Sequence, residues 1–168
     1  MYLSFEINTQ EGDKVLVSLC SSYPYLQDIL TPGAPSFDLL EVCIVREKGT
    51  GPIRMEVFGK IAELLISVAE ENPASVLFYF CDFSEDIPRQ RRRDIPSHEY
   101  RNTLFKLLFQ RYESLAKEHW SDIEVILQSD EPKLELYAHV LLRDRHLPLI
   151  DLFKKEIRGN FEAITAQK

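Results

Sequence analysis

The chain opens on alternation. Leu3, Phe5 and Ile7 are separated by Ser4, Glu6 and Asn8, the two-residue period of a strand with one buried face. Glu11-Gly12-Asp13 marks a turn, and from Lys14 to Ser21 the pattern returns with Val15, Val17 and Leu19 on one side. Residues 21–36 hold Pro24, Pro32 and Pro35 and sustain no period. They predict a long loop, with a helical turn at most near Tyr25 to Leu30; loops of this length are often functional. Phe37 to Arg46 reads as a third strand, apolar on both faces except at Asp38 and Glu41. The period then lengthens. Ile53, Val57, Ile61, Leu64, Leu65 and Val68 form one stripe at helical spacing, with Pro52 suited to the first helical position and Asn72-Pro73 as the stop.

Val76 to Cys81 is continuously apolar, as a strand covered on both faces must be. Beyond the polar stretch that follows, Ser97 suits an N-cap and a helix is predicted from about His98 to Lys117. Its apolar arc is Leu104, Phe105, Leu108, Phe109, Tyr112 and Leu115, and Trp120 falls in the loop beyond. Ile123, Val125 and Leu127 alternate with polar neighbours, and so do Leu134, Leu136, Ala138, Val140 and Leu142. Glu131-Pro132 between them predicts a hairpin. A last helix is expected from Pro148 to Ile157, with a loosely held tail past Gly159. The order β-β-β-α-β-α-β-β-α implies one α+β domain over residues 1–168, with a mixed, mostly antiparallel sheet.

Composition narrows the classes. A chain of 168 residues can bury a sizeable core, and no apolar run is long enough to cross a bilayer. The first residues lack a basic region followed by an apolar stretch, so a soluble, cytoplasmic protein is expected. Cys20, Cys43 and Cys81 lie in strand-like runs without metal-ligand spacing, which suggests buried thiols in a reducing compartment. A net charge of −7 opposes attraction to nucleic acid and leaves an unidentified protein or a small polar ligand as the expected partner. The local exception is Arg89, Arg91, Arg92 and Arg93, with no aromatics interleaved; it reads as a solvated loop or a patch for an acidic partner. The four histidines share no metal-ligand spacing, and His139 is expected on the outer, polar face of its strand.

One glycine motif has a chemical reading. Arg46-Glu47-Lys48-Gly49-Thr50-Gly51 leaves the third strand and enters the first helix. In type and place it resembles the Arg/Gln-x-x-Gly-x-Gly/Ala loop of the GNAT superfamily of acyl-CoA-dependent N-acyltransferases, whose element order is also similar. The resemblance implies a GNAT-like fold in which the backbone amides of that loop, at a helix N-terminus, bind the pyrophosphate of acetyl-CoA. It makes Arg46, Gly49, Thr50 and Gly51 the expected cofactor contacts. Pro52 subtracts one amide from such a cradle. Where the superfamily often carries a tyrosine acid, this chain reads NTLFKLLF, so Tyr100 and Tyr112 are the candidate acids and Glu41 the candidate base. A solvent-facing Glu41 is the alternative.

A second resemblance is local. Cys81, Asp82, Arg89, Gln90, Arg101, Asn102, Leu104, Phe105 and Phe109 are similar to a motif of a small bacterial family known only as a domain of unknown function. It covers roughly residues 50–158. Independently of that likeness, Asp82 at a strand end and Arg101 and Asn102 at a helix start predict either an ion pair tying the two elements or a pocket for a polar ligand. Two functions follow from these readings: a non-catalytic binding or regulatory module on an acyltransferase-like scaffold, or an N-acyltransferase.

Overall fold

A computed structural model describes residues 2–30, 32–81, 94–130 and 133–165. Its strands are β1 (Tyr2–Asn8), β2 (Lys14–Ser21), β3 (Asp38–Lys48), β4 (Ser75–Cys81), β5 (Trp120–Asp130) and β6 (Lys133–Arg143). Its helices are α1 (Met55–Glu71), α2 (Ser97–Tyr112) and α3 (Ile150–Thr165), with 3₁₀ turns at Pro24–Ile29, Glu113–Leu115 and Asp144–Leu149. The sheet runs β1-β2-β3-β4-β6-β5, and only β3 and β4 pair in parallel. The architecture is α+β with a mostly antiparallel sheet, as the periodicities predict. No helix among the described residues is long and apolar enough to cross a membrane.

The strand alternation separates two apolar faces. Val15, Val17, Leu19, Leu40, Val42 and Leu77 pack beneath α1 and α2. Leu39, Val76, Phe78, Val125, Val140 and Leu142 pack beneath α3 and the Pro24–Ile29 turn. That second layer stops short of the outer meander, and so Tyr2, Cys43 and Val45 are exposed. The thiols therefore differ: Cys81 is buried as expected, Cys20 is half-buried and Cys43 lies on the uncovered face.

Several boundaries differ from the sequence expectation, each for a tertiary reason. Helix α1 starts at Met55, three residues after Pro52, with Arg54 as an extended N-cap. Pro96, not Ser97, precedes α2, and no side chain caps it. The helix stops at Tyr112 and finishes in a 3₁₀ turn before Lys117. Trp120 belongs to β5 and is buried, because the Arg143 guanidinium lies 4.4 Å above its ring. Arg143 in turn donates to the carbonyls of Ala69 and Pro73, occupying acceptors that the end of α1 leaves open. The chain past Gly159 is not loose: α3 continues to Thr165 and buries Phe161 in the second core.

His146 is fully buried, with Nε2 3.2 Å from the Ser36 carbonyl oxygen and no partner on Nδ1 among the described residues. Burial pushes its pKa below the usual imidazole range. The unfolded chain therefore takes up a proton that the folded one refuses, and stability should fall as pH drops below about 6.5. His146→Gln keeps a donor for Ser36 without the titration, so its denaturation midpoint should vary less between pH 7 and pH 5. Phe161→Ala should cost about 3 kcal/mol by urea unfolding, where a frayed tail would show almost no change.

Candidate functional site

The parallel ladder is short. It joins Asp38–Ser75 through Glu41–Phe78 and then ends. Strand β3 continues to Lys48 along β2, while β4 continues to Cys81 along β6. Each follows its own antiparallel neighbour, so the two part beyond Glu41 and Phe78. Above the widening gap α1 and α2 form a roof. Val42 and Ile44 from β3, Tyr79 from β4, Phe58 and Ile61 from α1 and Phe105 and Phe109 from α2 enclose a cavity of about 140 Å³. At Gly59 the helices come close, with the Tyr112 hydroxyl 3.0 Å from where a Cβ would sit.

At the far end of β3 the glycine loop holds itself shut. Arg46 donates from Nη1 to the Gly51 carbonyl at 2.6 Å and from Nη2 to the Thr50 carbonyl at 3.2 Å. The same guanidinium pairs with the carboxylate of Asp13, and both side chains are more than nine-tenths buried. Asp13 is fixed by the β1–β2 turn, where its amide donates to Thr9 Oγ1 at 3.1 Å and its carbonyl accepts from the Thr9 amide at 3.0 Å. Gly49 has φ 126°, and a Cβ there would collide with both the Asp13 carboxylate and the Arg46 guanidinium. The motif thus encloses an anion, and the anion is the protein's own. Residues 52–54 further separate Gly51 from the first turn of α1. A bound pyrophosphate would have to displace Asp13 to reach Arg46.

Glu41, the candidate base, sits at the last ladder pair before the strands part. Burial pushes its carboxyl above the usual range, and a hydrogen bond from Ser22 opposes that shift. Nearby Tyr23 has φ 54°, a costly conformation for a bulky residue. Its hydroxyl accepts from Asn160 Nδ2 at 2.7 Å, and its ring lies 5.9 Å from that of Phe78. The candidate acids lie elsewhere: Tyr100 is half-buried in the first turn of α2, and Tyr112 lines the cavity at the other end of that helix.

Asp82 and Arg89 to Arg93 lie outside the described residues. Arg101 is buried and lines the cavity, so it is no solvent-facing anchor. Asn102 enters a network that the sequence reading missed. His139 is fully buried, not on an outer polar face, because α2 covers it. Its Nδ1 lies 2.7 Å from Asp122 Oδ1 and its Nε2 2.6 Å from Asn102 Oδ1. Asn102 Nδ2 donates to Glu124 at 2.9 Å, and Lys106 pairs with the same carboxylate. Burial pushes Glu124 up, yet the bonds from Lys106 and Asn102 prevail and leave it below the usual carboxylate range. Tyr79 stacks on the imidazole at 5.0 Å, and burial drives its phenol far above the ordinary range. Both ring nitrogens of His139 are engaged, so the network clamps α2 to the hairpin and leaves no nitrogen for a substrate. The signal in the sequence was the hairpin register, which places Glu124 opposite His139.

No family model matches the chain, and no curated protein or solved structure proved significantly similar to it. Removing one partner of a buried ion pair leaves the other charge stranded. Asp13→Ala should therefore destabilise by about 3 kcal/mol in urea unfolding, and the double change with Arg46→Met should recover part of that loss.

Proposed function

We propose that the protein is a non-catalytic binding module on an acyltransferase-like scaffold, receiving its ligand in the cleft where β3 and β4 part. The observation that carries this reading is the mostly apolar cavity beneath α1 and α2, which the diverging strands open. Binding sites are typically concave, mostly apolar and rimmed by few polar groups. The glycine loop supports the same conclusion, since Asp13 already neutralises the one cation that the resemblance assigns to a cofactor.

A second reading, an acyl-CoA-dependent N-acyltransferase, draws support from Glu41. Its desolvated carboxyl stands at the point of divergence, where a base of raised pKa would serve proton abstraction from an amine. Calorimetry with acetyl-CoA separates the two. The binding reading expects no saturable heat up to millimolar cofactor. Saturable binding that is weakened by Thr50→Glu, at an exposed position whose carbonyl accepts from Arg46, would favour the transferase. For the binding reading itself, a thermal-shift screen of small metabolites should find compounds that stabilise the wild type saturably. They should fail on Ala62→Phe, which fills the cleft from α1. Silence across the whole screen would end it.

A further inference from the structure

We infer that the cleft takes a linear aliphatic chain of about six carbons; this rests on the binding reading above and names its ligand class. Three observations converge on that chemistry. The first is lining: Ile61, Leu65, Val42, Leu77, Leu108 and Phe109 supply hydrocarbon from both helices and both halves of the sheet. Among the described residues, polar side chains reach this lining at Tyr79, Arg101, Tyr112 and the rim residue Glu113, and over the rest of the wall an ionised ligand would lose its hydration without replacement, whereas apolar surface of this kind accepts hydrocarbons.

The second is size and shape. A volume near 140 Å³ is close to the ~150 Å³ of an apolar cavity that accommodates benzene, and so sets the carbon count near six without setting the shape. The walls nevertheless run from Phe58 to Ala69 along α1 and from Arg101 to Tyr112 along α2, about 17 Å on each helix at 1.5 Å per residue. Walls drawn out along a helix seam suit an extended chain better than a ring. The third is access. Ala62, Leu65, Ile66, Phe109 and Ala116 retain partial exposure, and the exposed Glu113 marks the rim, so the cavity communicates with solvent along that seam. A chain can thread in there and leave its polar head outside.

The test is a titration of the whole protein with primary alcohols from propanol to octanol, followed by methyl NMR shifts of Ile61, Leu65 and Ile66. Each methylene buried should tighten binding about fourfold, until the gain stops near hexanol when the cavity is full. Cyclohexanol, with the same carbon count, should bind more weakly than hexanol. Ala62→Phe and, should that variant fold poorly, Ala116→Leu should abolish the series, while Leu107→Ser on the exposed side of α2 should leave it intact. A flat series, equal binding of cyclohexanol, or a series that survives both filled variants would overturn the inference. Failure of the alcohols alongside metabolite binding that Ala62→Phe blocks removes the chain and spares the binding reading. Failure of every compound removes both.

Discussion

Four residue pairs, from Asp38–Ser75 to Glu41–Phe78, form the seam between the two halves of this sheet, and the rest of the molecule is arranged around that short parallel ladder. On one side β1, β2 and β3 form a meander; on the other β4, β6 and β5 form a unit closed by a hairpin. Each half has its own antiparallel hydrogen bonds, so neither needs the other beyond the seam. Helices α1 and α2 bridge the division from above, and their side chains fall into the space that the parting strands leave. The cavity is thus a consequence of topology: a crossover connection with strands that share only their first turns of ladder.

A few buried or half-buried charged residues hold that arrangement. Asp13 and Arg46 lock the tip of the β1–β2 turn to the exit of β3. Asp122, His139, Asn102, Glu124 and Lys106 pin α2 to β5 and β6. Arg143 ties the end of α1 to β6 and stacks on Trp120. Buried groups of this kind are costly unless fully paired, and here the pairing is internal. The cavity beneath α1 and α2 is by contrast mostly apolar, and that contrast is the reason for favouring the proposed reception of a ligand.

How much of this was legible depended on whether the deciding contact was local. The apolar run Val76 to Cys81 and the alternation from Leu134 to Leu142 fix a central strand and a hairpin arm without reference to anything distant. His139 was misjudged because alternation says which residues share a face and cannot say whether a helix lies over it. Trp120 was assigned to a loop because its burial depends on Arg143, 23 positions away. Gly159 weakens a helix by only about 1 kcal/mol, a penalty that burying Phe161 readily exceeds. The glycine motif shows the same limit at the candidate site. Its spacing reports that backbone must approach something closely, and the partner at Gly49 proves to be Asp13, brought in from an earlier turn.

The cavity also bears on stability. Unfilled apolar volume costs on the order of 24 cal/mol per Å³, so about 140 Å³ corresponds to roughly 3 kcal/mol forgone. Partial opening to solvent reduces that figure without removing it, and folded domains have only about 5–15 kcal/mol in total. A single larger side chain at Ala62 or Ala116 would fill much of the space on either helix. An occupant that binds only the folded state offsets that cost through mass action, by an amount set by its concentration relative to its dissociation constant. The proposed hydrocarbon would thus fill space that the fold leaves between its two covering helices.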